Sequence, residues 1–237
     1  MRILAKTKDF ILDILFPPIC LSCKISLQTD EKQKKICKRC LDSVIIYSSF
    51  FCPECKARIP GENKKCHKNT KFLLAPVTSY KIDSVKNIVK FLKYNKWLSM
   101  LEIMEPLIED YLGLLKCDLD DFIVMPIPLH EDREKQRGFN QSEMIAKILC
   151  KKTSLSINSK NMKRTKPTKI QAELKDPEER IDNVKNCFAL TDPEKVKNKN
   201  VILVDDVFTT GSTVNEAVKT LKQAGAKKII AFVFAKA

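Results

Sequence analysis

Glycine is scarce in this sequence, with five glycines among 237 residues, and long hydrophobic runs are absent. No run approaches the ~18 apolar residues that a membrane-spanning helix needs, which argues against a membrane span. The apolar residues at the N-terminus alternate with charged ones, which is typical of a short amphipathic helix and not of a secretory signal. We therefore expect a cytosolic protein whose first helix packs on its own fold, with contact to a membrane surface as the alternative, through Ile3, Leu4, Phe10, Ile11, Ile14 and Leu15.

The common glycine-rich nucleotide motifs are missing as well. The sequence has no G-x-x-x-x-G-K-[ST] segment, which excludes a P-loop, and no G-x-G-x-x-G segment, which argues against a dinucleotide-binding fold. A response-regulator receiver also carries paired acids at a strand end, but early in its domain. Here Asp205 and Asp206 fall within the last 35 residues.

Positive charge is in excess and unevenly distributed. The net charge is +14, and residues 1–75 hold 15 basic and 7 acidic side chains, a net +8. This pattern favours a polyanionic partner, single-stranded nucleic acid above all, although a lysine-rich solvated surface would give the same count. Aromatic residues close to lysines are candidate stacking platforms, with the hydrophobic core as the alternative: Phe50, Phe51, Phe72 and Trp97.

Seven of the ten cysteines lie between residues 20 and 66. Two thiolates three residues apart on a tight turn reach one metal ion, and a second such turn completes a tetrahedral shell. The first two pairs, Cys20 with Cys23 and Cys37 with Cys40, therefore predict a structural zinc site; a disulfide or free thiols are the alternative. The third pair could form a second zinc site with a nearby cysteine and histidine: Cys52, Cys55, Cys66 and His67.

The cysteine distribution predicts two domains, a zinc module over residues 1–71 and an α/β domain over residues 72–237. Within the module, residues 56–71 are polar and are expected to form its exit. In the second domain, LLAPVTSYKI predicts a strand, and Val85, Ile88, Val89 and Leu92 share one face of a predicted helix. We expect another helix from about 98 to 115, a short buried strand at 122–127 and a mobile basic loop at 151–170.

The segment VILVDDVFTTGST at 201–213 predicts a strand followed by a loop and a helix. Val201–Val204 is the apolar strand, with Asp205 and Asp206 at its end. Thr213 and Glu216 form a predicted capping box. Gly225 ends the helix and Ile229–Phe234 is the next strand, so this βαβ unit predicts a parallel sheet.

The chemistry of this loop matches a ribose phosphate. Ligands of open α/β sheets bind beyond the carboxyl ends of the strands, and a helix N-terminus attracts phosphate. Asp205 and Asp206 can accept hydrogen bonds from the two cis hydroxyls of a ribose. The adjacent loop can wrap its 5′-phosphate through Thr209, Thr210, Gly211, Ser212 and Thr213.

Two arginines upstream fit the same ligand. Arg133 and Arg137 are four residues apart and would share a helix face that Gly138 could end. Two guanidinium groups can hold a pyrophosphate in a bidentate manner, with a solvated basic patch as the alternative.

Together these motifs resemble the type I phosphoribosyltransferase superfamily and, within it, the ComF family. The resemblance covers most of the sequence. It rests on the 201–213 segment, on Pro126-Ile127-Pro128, on Arg133 followed by Arg137-Gly138-Phe139-Asn140-Gln141-Ser142, on Arg164, Thr165, Thr168, Gln171, Leu174, Arg180, Asn183 and Phe188, and on the cysteines that follow Leu15-Phe16-Pro17-Pro18.

The resemblance implies a competence protein needed for natural transformation, which acts in the cytosol on incoming single-stranded DNA. It implies that Asp205 and Asp206 hold the ribose of phosphoribosyl pyrophosphate and that the loop at 209–213 holds its 5′-phosphate. Arg137 and Gly138 would lie near the pyrophosphate, bridged by Mg2+. The family's usual fourth cysteine of the second metal set falls at position 69, which is Asn69 here.

Two functions remain open from the sequence. The protein could be a phosphoribosyltransferase of nucleotide metabolism with an unidentified acceptor, in which Asp205, Asp206 and Arg137 are the candidate catalytic residues. Alternatively, it could be a binding protein that senses phosphoribosyl pyrophosphate while it holds single-stranded DNA or proteins of the DNA-uptake machinery.

Overall fold

The computed structural model describes residues 17–61, 64, 66–115, 117–168 and 176–237. The predicted N-terminal helix lies outside the described residues, as do Gln171 and Leu174 of the family resemblance. The helices and strands along the described chain are α1 (Lys38–Asp42), β1 (Phe50–Phe51), β2 (Arg58–Ile59), β3 (Leu73–Ser79), α2 (Asp83–Asn95), α3 (Ser99–Leu114), β4 (Phe122–Pro126), α4 (Glu131–Arg137), α5 (Gln141–Thr153), β5 (Met162–Arg164), α6 (Pro177–Val184), β6 (Phe188–Leu190), β7 (Asn200–Phe208), α7 (Ser212–Gln223) and β8 (Ile229–Lys236).

A six-stranded sheet in the order β2-β1-β3-β8-β7-β4 forms the centre of the fold. Strands β3, β8, β7 and β4 pair in parallel, whereas β1 and β2 are antiparallel to their neighbours. Side chains alternate between the two faces of each strand, so apolar runs such as that of β7 bury both faces. The predicted α/β fold with a parallel sheet is thereby confirmed.

Helices cover both faces of the sheet. Alternate residues of β7 belong to two separate apolar cores: Ile202 and Val204 pack with α2, α3 and α5, and Val201 and Leu203 pack with α7. The apolar stripe predicted for α2 is confirmed, because Val85, Ile88, Val89 and Leu92 are all buried. This layering leaves the carboxyl ends of the parallel strands as the edge at which loops and helix N-termini meet.

Two segments that were expected to be irregular contain regular structure. The prediction of a basic loop over residues 151–170 is wrong, because α5 continues to Thr153 and β5 pairs with β6 at Met162–Arg164. The polar segment at 56–71 contains β2. Strand β5 pairs with the distant strand β6, and β2 pairs with β1 in a hairpin, so each short strand is stabilised by a partner that its own basic sequence does not indicate.

Strand β7 is twice as long as its apolar run predicts. It extends through the two acids to Phe208, because its backbone stays paired with β8 up to the register position of Lys236. Asp205 and Asp206 therefore lie within the strand and not beyond it, and the rigid ladder fixes their direction.

The cysteine-rich segment joins the central sheet through residues 45–51, which lie between its two cysteine sets. Phe51 pairs with Leu74, the amide of Tyr47 donates to the carbonyl of Val77 at 2.9 Å, and the buried hydroxyl of Thr78 donates to the carbonyl of Ile45 at 2.6 Å. The domain boundary between residues 71 and 72 remains a prediction, but the sheet itself continues across it.

Within the described residues, no helix has both the length and the hydropathy that crossing a bilayer requires.

Candidate functional site

A cavity of about 340 Å³ opens at the carboxyl end of β7, in front of the N-terminus of α7. Its charge is strongly unbalanced, because Asp205 and Asp206 are the only carboxylates among the described residues that line it. Six cationic side chains surround them: Lys90, Lys93, Arg133, Arg137, Arg164 and Arg180. An arrangement of this kind is suited to a ligand with several negative charges.

Asp205 is held by two hydrogen bonds. Its Oδ1 accepts from the hydroxyl of Ser142 and from the amide of Asp206, each at 2.9 Å. Burial, together with the neighbouring charge of Asp206, raises the pKa of Asp205 to about 6. The carboxylate is therefore oriented and costly to ionise, which fits a group that gains hydrogen-bond donors when a ligand binds.

Asp206 forms an ion pair inside the cavity. The ammonium of Lys93 lies 2.7 Å from Asp206 Oδ2, and the two side chains are 22% and 5% exposed. Burial opposes a charged lysine, yet the charges of Asp206 and Asp205 raise the pKa of Lys93 above its usual value. Lys93 thus compensates part of the negative charge that the two adjacent acids bring into the cavity.

The loop after β7 has the geometry of a phosphate cradle. Gly211 takes a left-handed conformation with φ of 82° and caps α7 without a side-chain hydrogen bond from the described residues. The hydroxyls of Thr210 and Ser212 lie 2.8 Å apart. The first-turn amides of α7 and two converging hydroxyls therefore face the same space, as a phosphate would require.

The predicted capping box at the start of α7 is wrong. The helix begins at Ser212, two residues earlier than the box requires, and its cap is Gly211. Glu216 instead accepts a hydrogen bond from the amide of Asn186 at 2.9 Å and lies 3.4 Å from the ammonium of Lys219. The helix N-terminus is thereby left open toward the cavity.

Two arginines of the cavity donate to neutral oxygen atoms. Arg133 donates to the carbonyl of Thr168 at 2.7 Å, and Arg137 donates to Gln141 Oε1. Burial lowers the pKa of both Arg137 and Arg164 below the usual value. Nε of Arg164 is buried with no hydrogen-bond partner among the described residues. Partly buried guanidinium groups of this kind would be compensated by a bound phosphate or pyrophosphate.

The segment from Arg137 to Ser142 connects the arginines to the acids. Gly138, with φ of 88°, ends α4. Asn140 caps α5 by accepting from the amide of Ser142, and its side chain donates to the carbonyl of Ile127. The segment thus begins with a cavity arginine and ends with the hydroxyl that orients Asp205. Gly138 itself is not among the residues that line the cavity, and its place near a pyrophosphate stays a prediction.

The first cysteine set has the geometry of a tetrahedral metal site. The thiols of Cys20, Cys23, Cys37 and Cys40 all lie within 4.8 Å of one another, with Cys23 and Cys37 at 3.6 Å. Tetrahedral zinc with Zn–S bonds of 2.3 Å would separate its sulfurs by ~3.8 Å. Burial alone would raise the pKa of Cys20, but amides including those of Cys37 and Ser22 lower it to about 6. Burial raises the pKa of Cys37 and of Cys40, so it is the geometry of the four thiols that fits a structural zinc.

The second set also converges. Cys52 Sγ lies 3.4 Å from Nδ1 of His67, and Cys55 Sγ lies 3.4 Å from Cys66 Sγ. All four ligand atoms are within 4.8 Å of one another, so His67 takes the place that Asn69 leaves open. The other three cysteines, Cys117, Cys150 and Cys187, are buried or partly buried and belong to neither set.

The aromatic residues considered as stacking platforms serve the core instead. Phe50, Phe51 and Phe72 are all at most 5% exposed. Trp97 stacks on Phe91 with ring centroids 4.8 Å apart, and the ammonium of Lys35 lies 3.9 Å from its centroid. None of these four rings offers an open face to a base.

Several cavity residues escaped sequence reasoning. Lys93 and Lys90 look like the polar face of an amphipathic helix, and Ser142 looks like an ordinary first-turn residue. Tyr94 is 53% exposed at the cavity and would have been a better aromatic candidate than Trp97. The position of these residues in the chain could have revealed them. Lys90, Lys93 and Tyr94 lie toward the end of α2, the helix that follows the parallel strand β3.

Comparisons with known families match both parts of the chain. Residues 137–237 match the phosphoribosyl transferase domain, and residues 11–71 match the double zinc ribbon domain. The second match covers both cysteine sets. The first begins at Arg137 and includes the whole phosphate loop.

The curated relatives of this chain include a competence protein F, a ComFC and a YhgH. Competence protein F of Haemophilus influenzae is 35% identical over 115 residues, 48% of this chain and 50% of the relative. Competence protein ComFC of Bacillus subtilis is 31% identical over 44% of this chain and 40% of the relative. DNA utilization protein YhgH of Escherichia coli is 36% identical over 45% of each. The chain thus spans about half the length, or less, of the curated relatives it matches.

We expect purified protein to carry two zinc ions per chain, because each ligand set is complete. Elemental analysis of the wild type and of two serine variants checks this. Cys66→Ser should lower the content to about one zinc per chain, since it removes an exposed ligand of the second set. Cys117→Ser, a cysteine outside both sets, should leave it unchanged. Less than one zinc per chain in metal-replete wild type would contradict both assignments.

Asp205→Asn should stabilise the apo protein at neutral pH. The pKa of Asp205 rises from 3.8 to about 6 on folding, so its ionisation costs stability as the pH rises from about 4 to about 6. Removing this cost should raise the free energy of unfolding at pH 7 by on the order of 1–3 kcal/mol, and by much less at pH 3.5.

Urea titrations at the two pH values measure the difference. Asp121→Asn, at an exposed position, removes the same charge without the burial and is the control. A stability gain of equal size at both pH values would show that the ionisation of Asp205 is not its source.

Proposed function

We propose, from the premise that this chain belongs to the ComF family of the phosphoribosyltransferase superfamily, that it is a competence protein that binds phosphoribosyl pyrophosphate and acts in DNA uptake. One observation carries the ligand assignment. The paired acids, the open N-terminus of α7 and the partly buried arginines line a single cavity. The acids would bind the diol of that ligand, the helix N-terminus its 5′-phosphate and the arginines its pyrophosphate.

The ribose would lie against Asp205 and Asp206, whose carboxylates accept from its two hydroxyls. Its 5′-phosphate would take hydrogen bonds from the amides and hydroxyls of residues 209–213. The pyrophosphate would face Arg137 and Arg164, whose partly buried guanidinium groups gain an anionic partner. This division gives a binding role to Asp205, Arg137 and Arg164, whose pKa values burial shifts against the charged form.

Magnesium would bind through oxygen ligands, and the carboxylates that this cavity offers are Asp205 and Asp206. Asp206 already pairs with Lys93, so Asp205 is the better placed of the two to contact the ion. Bound Mg2+ would supply positive charge to the pyrophosphate. The chain's own contribution is to orient the ribose and to exclude water from it.

If the protein is an enzyme, the reaction is transfer of the phosphoribosyl group. The bond between the anomeric carbon and pyrophosphate breaks, and pyrophosphate leaves with the electron pair. An acceptor nucleophile forms the new bond to the anomeric carbon and loses its proton. Asp205 and Asp206 would stabilise positive charge on the ribose and Arg137 would stabilise the leaving group. Release of pyrophosphate with a panel of acceptors would separate this reading from that of a binding protein.

Phosphoribosyl pyrophosphate with Mg2+ should raise the thermal stability, by ~2.7 kcal/mol at a hundredfold excess over its dissociation constant. Asp205→Asn with Asp206→Asn should abolish this shift, because both diol acceptors lose their charge. Asparagine is preferred to alanine because it leaves Lys93 a hydrogen-bonding partner in the cavity. A wild-type shift in the double variant would contradict the ribose assignment.

A matched threonine pair tests the phosphate loop in the same assay. Thr210→Val should weaken binding by on the order of 1–2 kcal/mol, since it removes a hydroxyl that points to the phosphate space. Thr220→Val removes a hydroxyl that binds the carbonyl of Glu216 within α7 and should leave affinity unchanged. No stabilisation of the wild type by any ribose phosphate would contradict the proposed ligand.

A second candidate function, binding of single-stranded DNA, is favoured by a basic cleft at the opposite end of the sheet. This cleft, of about 450 Å³, has an apolar floor formed by Leu73, Ile229 and their neighbours. Five lysines surround it, with no acidic residue among the described lining residues: Lys64, Lys71, Lys222, Lys227 and Lys228. Separate ends of the sheet would let the nucleic acid and the ribose phosphate bind together.

Single-stranded DNA should therefore bind with a steep salt dependence, with log K falling against log salt by roughly 0.7 per phosphate contacted. Replacing Lys71, Lys227 and Lys228 by alanine should make the slope less steep by about 2. Lys147→Ala, on the exposed face of α5, is the control. A slope equal to that of the wild type in the triple variant would exclude this cleft as the DNA surface.

A further inference from the structure

The two metal sets repeat one local structure. Each begins with a C-x-x-C-K segment whose lysine is left-handed, Lys24 with φ of 65° and Lys56 with φ of 62°. In each, the lysine amide donates to the carbonyl of the first cysteine at 3.0 Å. Each ammonium then binds a carbonyl three residues back, that of Leu21 at 3.2 Å or Pro53 at 2.7 Å. The repeat gives two equivalent lysines in different surroundings.

Lys56 has a second contact that reaches the domain with the phosphate loop. Its ammonium lies 4.2 Å from the ring centroid of Phe208. Phe208 is the last residue of β7 and is 1% exposed, and its carbonyl accepts from the amide of Ala237 at 2.9 Å. The positive charge of Lys56 attracts the face of the buried Phe208 ring, so a change in the position of Lys56 would change the position of that ring.

The ring of Phe208 in turn supports the phosphate loop. A Cβ atom added to Gly211 would lie 2.5 Å and 2.8 Å from two atoms of this ring. Only a glycine allows the loop backbone to approach the ring so closely, and Gly211 is the residue that caps α7. The place of the ring therefore sets the place of the amides that face the phosphate.

We propose that Lys56 is a positioning residue that couples the second metal set to the phosphate loop. The inference rests on the proposed binding of a ribose phosphate and extends it to control by the metal. Cys52, strand β1 and Ile59 of β2 are buried, but Cys55, Cys66 and His67 are exposed, so the metal would fix the Cys55 end of this turn, directly next to Lys56. Loss of the second zinc would release Lys56 and loosen the loop through Phe208 and Gly211.

The first test compares two equivalent lysines with ribose 5-phosphate as the probe. Lys56→Met should weaken its affinity roughly three- to tenfold at unchanged zinc content, because the methionine keeps the stem but removes the charge over the ring. Lys24→Met makes the same change in the first set, away from Phe208, and should leave affinity within about twofold. Lys56→Arg should restore most of the loss, since a guanidinium also binds an aromatic face.

The second test asks whether Lys56 transmits the effect of the metal. Cys66→Ser, measured at about one zinc per chain, should weaken ribose 5-phosphate at least as much as Lys56→Met does. Adding Lys56→Met to Cys66→Ser should then cost little more, because both changes break the same contact. Independent, additive losses would overturn the coupling.

Hydrogen exchange of the apo protein separates failure of this proposal from failure of the proposed ligand. Amides of residues 209–213 should exchange faster in Lys56→Met than in Lys24→Met, whatever the natural ligand is. If the wild type binds no ribose phosphate but this difference is present, the coupling stands and the ligand is wrong. Equal exchange in the two variants, or full ribose 5-phosphate affinity in Lys56→Met, overturns the proposal.

Discussion

The backbone ladder between β7 and β8 is the constraint on which the candidate site depends. It continues four residues past the apolar part of β7 and ends where Phe208 faces Lys236. Two adjacent acids are thereby held in extended conformation at the end of the strand, where both line the same cavity. One acid reaches Ser142 and the other reaches Lys93, on elements that pack against the same sheet. The phosphate loop begins only after this ladder has ended.

The charged groups of the cavity are suited to a ligand with several negative charges. Lys93 offsets the negative charge of Asp206. The pKa of Asp205 is raised, and the pKa values of Arg137 and Arg164 are lowered. Each shift reflects a buried group that water no longer solvates well. A ligand with hydroxyls at one end and phosphates at the other would relieve both kinds of strain in one binding event.

Sequence patterns predicted the parts of this protein whose information is local. The strand, loop and helix around Gly211 follow each other along the chain, and the cysteine pairs lie within short turns, so both were found from spacing. Lys93 and Ser142 were missed because their roles depend on packing between α2, α5 and β7. The capping box failed for a related reason: Glu216 had a distant partner, Asn186, that no local motif reveals. The second metal set was predicted with His67, but its convergence needed the folded turn.

The antiparallel run of residues 45–51 alongside β3 also has a consequence for how the chain can be divided. A parallel sheet whose outer strand is bare presents unpaired amides and carbonyls to other chains. Here Tyr47, Phe51 and the carbonyl of Ile45 occupy that edge. A shortened protein that began at Phe72 would expose an apolar strand, Leu73–Ser79, and would be prone to edge-to-edge aggregation. The zinc module thus keeps other chains from pairing with this edge of the sheet. A fragment without the module would need another chain to cover the same edge.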